Sequence, residues 1–418
     1  MIKELQIPVF DLTSSLSTTM DLIHPATANH HKQVAYIAFW IANEFELSMS
    51  ARKDILLAGA LHDIGAMSVL ERIDLLDFEV VDTHIHCETG YRLLNLFEPF
   101  DKIANIVRFH HVYWQNGQGK EQDGHAVPFE SHILHIADRI AIIIDFNKEI
   151  FSQIPAIVSY IESKQGTMFH PKLVECFKKL SEKEFFWLDL ASNLTSTRLH
   201  RLITSDTLTL TSTEILDLTS LFAKVIDFRS PFTATHSAGV AASAEAISRF
   251  LHFSKKELFM MRIAGNLHDL GKVAIPVSIL EKDGALTPKE WNVMRKHTYY
   301  GYHILQPISD LQIINSWASF HHERIDGSGY PFHLKGEELS LGSRVMAVAD
   351  VFTAISEDRP YRKGMTDKQI VKVIENLVSS GGLDPEIVLV LKENYHEIKA
   401  SRVQAEEECL SKYKGLLT

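Results

Sequence analysis

Cysteine is scarce in this sequence, with three residues in a chain of 418, and none of them lies in a Cys-x-x-Cys spacing. The scarcity argues against a disulfide-rich scaffold and against a thiolate zinc site. We therefore expect Cys87, Cys176 and Cys409 to be buried or incidental thiols.

Positive charge and long apolar runs are also in short supply. Lys and Arg number 42 against 53 Asp and Glu, which gives a formal net charge of -11, whereas binding to a nucleic-acid polymer or an anionic membrane needs basic surface. The longest apolar runs, such as residues 34–42, are far shorter than the roughly 20 residues of a membrane span. The sequence predicts a cytoplasmic protein that binds neither polymeric nucleic acid nor membrane.

Histidine, in contrast, is abundant, with 22 residues that recur in the two halves of the chain in the same order. His30 and His62 are 32 residues apart, and so are His236 and His268. The matching series are His30, His62, Asp63, His86, His110, His111 and Asp138 in the first half and His236, His268, Asp269, His297, His321, His322 and Asp350 in the second. This agreement predicts a tandem duplication of one domain, with domains at 1–205 and 206–418.

The segments around these residues have the signals of helices. Residues 254–257, 287–290 and 366–369 each begin with Ser or Thr and end with Glu or Gln, which is the pattern of a helix N-terminal capping box. We find no series of alternating apolar and polar residues long enough to predict a sheet. The predicted fold class is therefore all-α, with two tandem helical domains.

Five His and two Asp in each half are more ligands than one tetrahedral zinc ion uses. Such a set suits two ions of higher coordination that share a carboxylate, and iron or manganese fits the mixed nitrogen and oxygen ligands. A pair of divalent ions activates water and binds a phosphoryl group, so phosphoester hydrolysis is the expected chemistry. No Gly-x-x-x-x-Gly-Lys phosphate loop is present, which argues against nucleoside-triphosphate motor chemistry.

Two blocks of the second half resemble the HD-GYP family of the HD phosphohydrolase superfamily. Residues 268–272 read His-Asp-Leu-Gly-Lys, and residues 321–331 read His-His-Glu-Arg-Ile-Asp-Gly-Ser-Gly-Tyr-Pro. The resemblance extends over residues 349–362 and implies a phosphodiesterase of 3′3′-cGAMP, of cyclic di-GMP or of both. It implies attack by a hydroxide that bridges two metal ions, and a linear 5′-phosphorylated dinucleotide as the product.

The resemblance also implies a role for each matching residue. Asp269 would bridge the two ions, and Lys272 would stabilise charge at the scissile phosphate, although a solvated lysine at a helix end is the alternative for Lys272. The implied metal ligands are His236, His268, Asp269, His297, His321, His322 and Asp350. The implied substrate-binding residues are Arg324, Asp326, Gly327, Gly329, Tyr330, Pro331, Arg359 and Arg362, and ordinary surface arginines are the alternative for the last two.

Two positions of the second half depart from the family pattern. Phe232 stands where some members have a Glu ligand for a third ion, so we expect two ions, and Thr353 stands where the family often has Asp. In the first half, Ala66 replaces the lysine and residues 112–117 replace the Gly-Tyr-Pro loop. We therefore predict a degenerate HD domain with a regulatory or structural role and little or no turnover.

Several alternatives stay open at this stage. The first-half series His30, His62, Asp63, His86, His110, His111 and Asp138 either holds metal or builds a metal-free structural domain, and the chain is either monomeric or a homodimer. The tandem arrangement resembles enzymes that act on 3′3′-cGAMP, but both cyclic dinucleotides are kept as substrates. The other functions considered are a non-catalytic cyclic-dinucleotide sensor and an HD hydrolase of another nucleoside phosphate.

Overall fold

A computed structural model gives the fold, and it describes residues 8–21, 29–66, 84–192, 195–203, 210–227, 235–357 and 363–417. These residues are mostly helical, and their single sheet has two strands of two residues each. The all-α prediction is confirmed. None of the described helices combines the length and apolar character that crossing a membrane would require.

The described chain divides into two compact units. The first unit runs from Pro8 to Ile203 and the second begins at Leu210. The predicted boundary between residues 205 and 206 lies outside the described residues, so its position stays a prediction.

The first unit consists of helices joined by short turns, with strands β1 (Glu121–Gln122) and β2 (His125–Ala126) in an antiparallel hairpin. Its 3-10 turns cover Glu98–Phe100, Gln115–Lys120 and Phe151–Gln153. Its helices are α1 (Val9–Asp21), α2 (His30–Glu44), α3 (Met49–Leu61), α4 (His84–Leu94), α5 (Asp101–Arg108), α6 (Phe129–Ile143), α7 (Ile154–Ser163), α8 (Pro171–Ser181), α9 (Glu184–Ala191) and α10 (Thr195–Ile203).

The second unit repeats this helical pattern from its own first ligand onward. Its 3-10 turns cover Leu270–Ala274 and Ser309–Leu311. Its helices are α11 (Ser212–Asp227), α12 (His236–Phe250), α13 (Lys255–Leu267), α14 (Val277–Leu280), α15 (Pro288–Met294), α16 (Lys296–Leu305), α17 (Gln312–Ser319), α18 (Leu341–Ser356), α19 (Asp367–Ser379), α20 (Pro385–Glu393) and α21 (Tyr395–Leu417). The three predicted capping boxes begin α13, α15 and α19.

One central helix organises the core of each unit. In the first unit α2 packs against α3, α6 and α8, and in the second unit α12 packs against α13, α18 and α21. The first predicted ligand of each series, His30 or His236, is the first residue of that central helix. The ligand series therefore begins at the end of the best-packed helix, where backbone position is well determined.

Glycine allows the central helix and the next helix to approach closely in both units. A Cβ on Gly59 would lie 2.7 Å from Ala35 Cα, and a Cβ on Gly265 would lie 2.4 Å from Ala241 Cα. No larger side chain fits at such a crossing without moving a backbone. His62 and His268 each lie three residues after one of these glycines. The crossing therefore places each of them next to the start of its central helix.

Candidate metal centres

Except for Asp350, the predicted ligands of the second unit lie at or near the end of a helix. His268 and Asp269 directly follow α13, and His321 and His322 follow α17. His297 is the second residue of α16, and Asp350 lies within α18. Except for His322, whose side chain is 30% exposed, all of the ligands are buried. The tertiary structure thus brings residues that are 114 positions apart in the sequence to one interior point.

The imidazoles are oriented by backbone carbonyl groups. The Nδ1 atoms of His268, His297 and His321 lie 2.8, 2.7 and 2.6 Å from the carbonyl oxygens of residues 265, 294 and 318. A carbonyl oxygen only accepts hydrogen bonds, so Nδ1 of each ring carries the hydrogen and donates it. In the neutral form of each ring the lone pair is then on Nε2, which is the nitrogen that faces the other ligands and can bind a metal ion.

A carboxylate orients His236 instead. Its Nδ1 lies 2.9 Å from Oε2 of the buried Glu357, and its Nε2 lies 3.3 Å from Oδ1 of Asp350. A carboxylate behind a ligating imidazole fixes the tautomer and increases the basicity of the opposite nitrogen. Sequence reasoning did not identify Glu357. The only available signal was an acid seven residues after the last predicted ligand.

Asp269 joins two groups of ligand atoms. Its Oδ2 lies 3.1 Å from Nε2 of His268, while its Oδ1 lies 3.5 Å from Nε2 of His297. The groups whose ligand atoms lie within 4.8 Å of one another are His236, His268 and Asp350; His268, Asp269 and His321; and His297, His321 and His322. One carboxylate oxygen for each side is the arrangement of a bridging carboxylate.

The charge states and hydrogen bonding of these residues fit metal ions. Burial lowers the pKa of His297 to about 3 and lowers the pKa of His321 well below its usual value, so both rings are neutral ligands at pH 7. Burial raises the pKa of Asp269, but His268 and Lys272 outweigh it and hold the pKa well below the usual range. Among the described residues, no hydrogen-bond partner reaches His268 Nε2 or Asp269 Oδ1. Buried polar atoms of this kind are costly unless an ion binds them.

Lys272 reaches the same carboxylate. Its Nζ lies 2.5 Å from Oδ2 of Asp269, and its side chain is 17% exposed. The 3-10 turn Leu270–Ala274 that carries it starts directly after Asp269. This contact disfavours the alternative of a solvated lysine at a helix end.

The predicted Gly-Tyr-Pro loop lies beside the ligand His322. The ring of Tyr330 is 5.0 Å from the ring of His322, centroid to centroid. Gly329 lies so close to the backbone that a Cβ there would be 2.4 Å from Glu323 Cα, and Gly327 has a positive φ of 78°. Both glycines are therefore required by the loop conformation, and Pro331 follows Tyr330 through a cis peptide bond.

Glu323 organises this loop, and sequence reasoning did not single it out. Its buried carboxylate accepts hydrogen bonds from the backbone N–H groups of Phe332 at 2.7 Å and Leu334 at 3.0 Å. The signal in the sequence was an acid that directly follows the His pair. Its contacts hold the loop against the residues that carry the metal ligands.

The remaining predicted substrate-binding residues are placed less favourably. Arg324 and Asp326 are exposed, and Oδ1 of Asp326 accepts a hydrogen bond from the backbone N–H of Ser328 at 2.8 Å. Asp326 also donates its own N–H to the carbonyl of Gly381 at 3.1 Å, so its observed contacts stabilise the loop. Arg359 and Arg362 lie outside the described residues.

A cavity of about 390 Å³ opens next to the loop and is bordered by tyrosines and basic side chains. Its lining consists of Asn292, Arg295, Lys296, Tyr299, Tyr300, Tyr330, Pro331 and His333. Of these residues, only Tyr330 and Pro331 were predicted from the sequence. Except for His333, which follows the loop, the others flank the ligand His297 along the chain, which was the signal that sequence reasoning missed.

The first unit brings its seven predicted ligands together in a similar way. Nδ1 of His62 and Nδ1 of His110 lie 2.9 and 2.6 Å from the carbonyl oxygens of the residues three positions earlier. Nε2 of His30 lies 3.2 Å from Oδ1 of Asp138. The groups with ligand atoms within 4.8 Å of one another are His30, His62 and Asp63, and His86, Cys87, His110 and His111.

The surroundings of the first centre differ from those of the second. The buried guanidinium of Arg139 is bound to Oδ2 of Asp138 at 2.6 Å, and Ala66 occupies the position that matches Lys272. The segment that replaces the Gly-Tyr-Pro loop donates hydrogen bonds from Trp114, Gln115 and Asn116 to the carbonyls of residues 168, 167 and 166. Backbone bonding thus ties this segment to its own unit.

A second buried carboxylate is repeated in the two units, and sequence reasoning missed it. Asp21 accepts from Nδ1 of His31 at 2.5 Å, and Asp227 accepts from the hydroxyl of Ser237 at 3.0 Å. Both acids stand nine residues before the first ligand of their series. Burial raises the pKa of Asp227 to about 7. The repeat was visible in the spacing, but acids are too common to be noticed without the structure.

Comparison with known proteins matches the HD-domain family twice, at residues 27–143 and 220–387. The 3′3′-cGAMP-specific phosphodiesterase 1 of Vibrio cholerae is 28% identical over 392 residues, which cover 91% of this chain and 90% of that protein. A cyclic di-GMP phosphodiesterase of Thermotoga maritima is 36% identical over 178 residues, which cover 42% of this chain and 47% of that protein. Each matched family range contains one complete ligand series.

A solved structure shares the architecture of the whole chain. The crystal structure of V-cGAP3, a phosphodiesterase of V. cholerae described as specific for cyclic GMP-AMP, matches with a TM-score of 0.64 at 24% identity. The match covers 94% of this chain and 98% of the other chain. At this identity the likeness concerns the fold alone.

Proposed function

The chain belongs to the HD-domain family, with the HD-GYP signature in its second unit, and from this premise we propose that it is a metal-dependent phosphodiesterase of a cyclic dinucleotide. The observation that carries the proposal is Asp269, whose two oxygens face separate groups of imidazoles while Lys272 contacts the same carboxylate. Two bound divalent ions, iron or manganese, would supply activated water and neutralise phosphoryl charge.

The residues of the second unit would divide the work of substrate binding and proton handling. Lys272 is placed to stabilise charge at the scissile phosphate and to supply a proton to the leaving 3′ oxygen. Tyr330 lies against His322 and offers an aromatic face at the edge of the ligand group. Arg295 and Lys296 border the neighbouring cavity, where they can bind the second phosphate or a purine edge.

We propose 3′3′-cGAMP as the first substrate and cyclic di-GMP as the second. The relative that aligns over nine-tenths of both chains is named for 3′3′-cGAMP, whereas the cyclic di-GMP phosphodiesterase aligns with less than half of either chain. The acidic net charge of -11 supports a free dinucleotide rather than a nucleic-acid polymer as the ligand. A cytoplasmic location and a homodimeric state stay predictions.

The first unit is proposed to be a regulatory or structural domain without turnover. Ala66 cannot supply the proton or the charge of Lys272, and Arg139 already neutralises Asp138. The segment at residues 114–116 is bound to the backbone of its own unit.

The test is product analysis of the full chain loaded with iron or manganese. We expect 3′3′-cGAMP to be converted to a linear dinucleotide with a 5′ phosphate, identified by chromatography against synthetic standards. Cyclic di-GMP and a panel of nucleoside monophosphates serve as competing substrates. Binding of both cyclic dinucleotides without any product would favour a sensor, and cleavage of a nucleoside phosphate alone would favour another HD hydrolase.

A further inference from the structure

The first unit contains a thiol at its centre that the second unit lacks. Sγ of Cys87 lies 3.5 Å from Nε2 of His86, and both side chains are buried. His110 and His111 complete a group in which one ligand atom of each residue lies within 4.8 Å of all the others. The thiol therefore belongs to a four-residue cluster of nitrogen and sulfur donors.

The matching position in the second unit shows that the scaffold does not require a thiol there. Thr298 follows His297 as Cys87 follows His86, and its hydroxyl donates to the carbonyl of Arg295 at 3.2 Å. The hydroxyl of Thr298 thus has a hydrogen-bond partner in the backbone. Cys87 instead lies against the imidazoles of His86 and His110.

Two imidazole nitrogens of this cluster make no hydrogen bond within the described part of the chain, although Nε2 of His110 lies 3.8 Å from Oδ1 of Asp63. Among the residues that the structure describes, no hydrogen bond reaches Nε2 of His110 or Nε2 of His111. His110 is fully buried, and its Nδ1 lies 2.6 Å from the carbonyl oxygen of Val107, so Nε2 is the nitrogen that is left to bind an ion. Buried imidazole nitrogens without hydrogen bonds, in a cluster with a thiol, form the donor set of an ion site.

We propose that the first unit binds one tetrahedral ion of the zinc type through His86, Cys87, His110 and His111. Zinc–nitrogen and zinc–sulfur bonds of about 2.05 and 2.3 Å place a nitrogen and a sulfur ligand about 3.6 Å apart, close to the 3.5 Å between His86 Nε2 and Cys87 Sγ. A thiolate selects zinc or cobalt over the manganese or iron that suits the second unit. The guanidinium of Arg139 is bound to Asp138 and competes with an ion for that carboxylate, which favours the His86 cluster as the ion site of the first unit.

Cobalt substitution tests the proposed thiolate bond without relying on activity. We expect the full chain loaded with Co²⁺ to show a thiolate-to-cobalt charge-transfer band in the near ultraviolet, because the second-unit donors are only nitrogen and oxygen. Cys87→Ser should abolish the band. Cys176→Ser, which alters another buried thiol outside the cluster, should retain it. A charge-transfer band that persists in Cys87→Ser, or its absence from the wild-type chain, would overturn the proposal.

Metal content provides a second measurement if the cysteine variant is unstable. Asp269→Ala removes the bridging carboxylate of the second unit, and this variant should still hold about one zinc per chain after dialysis. Adding His111→Ala, a change at the rim of the cluster, should lower its zinc affinity by at least about tenfold, with the melting temperature of the zinc-free protein as the control for folding. Equal zinc affinity with and without His111→Ala would contradict the proposed ligand set.

Discussion

The two units use one arrangement of helices for two different centres. In both, a glycine-mediated helix crossing brings the first His next to the His-Asp pair, and carbonyl groups orient the later imidazoles. The centres differ in a few side chains, where Ala66, Cys87 and Arg139 match Lys272, Thr298 and Val351. The comparison indicates that backbone packing sets the ligand positions, and we propose that these single substitutions decide which ion and which chemistry a centre supports.

The largest difference should appear when the central carboxylate of each unit is removed. Asp269→Ala should lower kcat for the cyclic dinucleotide by at least about 10³-fold, because the carboxylate joins both ligand groups of the second unit. Asp63→Ala, the matched change in the first unit, should leave most of the hydrolysis. Both effects are measured as single-turnover rates of manganese-loaded protein. Equal losses of rate in the two variants would show that the two centres act together.

Lys272→Ala should have the next largest effect. We expect kcat to fall about 10²-fold with bound metal retained, because the variant loses charge stabilisation and a proton donor but no ligand. The reverse exchange, Ala66→Lys in an Asp269→Ala background, should not restore hydrolysis, since the first unit also lacks the Tyr330 loop. Recovery of turnover in that double variant would show that the lysine alone distinguishes the units.

Glu357→Gln should weaken metal binding without removing a ligand. The carboxylate that holds Nδ1 of His236 is expected to contribute about 10-fold to 100-fold in metal affinity. Asp145→Asn is the matched control, because the acid at the corresponding place of the first unit accepts from Asn147 N–H near the surface. The manganese affinities of the two variants are compared by titration followed by electron paramagnetic resonance. An unchanged affinity in Glu357→Gln would remove Glu357 from the centre.

Arg295→Ala should have the smallest effect, and mainly on binding. Loss of one charge-assisted contact from the cavity should raise KM about 10-fold and change kcat little. Lys289→Ala, an exposed change one helix earlier, is the control. Comparing 3′3′-cGAMP with cyclic di-GMP in Arg295→Ala shows whether the cavity distinguishes the bases. A fall in kcat with unchanged KM would assign Arg295 to the chemical step instead.

Helix-capping signals predicted the all-α fold, and the repeated spacing predicted the tandem organisation and fourteen ligand residues, which the structure brings together as seven in each unit. The repeated spacing can be recognised because a duplicated domain keeps its ligand positions. The helices can be recognised because capping boxes such as Ser254 with Glu257 are local signals. Glu323, Glu357 and the acids Asp21 and Asp227 were missed. Each acts through contacts that form only in the folded chain, so nothing in its immediate sequence distinguishes it from a surface acid.

The sequence by itself determined which residue types were available and in what order. Composition and spacing led us to interpret Cys87 as an incidental thiol, since no second cysteine lies near it in the chain. Only the tertiary structure brought Sγ of Cys87 within 3.5 Å of His110, which lies 23 residues further along the chain. The physical reason is that a centre is built from side chains on separate helices, and helix packing rather than sequence distance decides which of them meet.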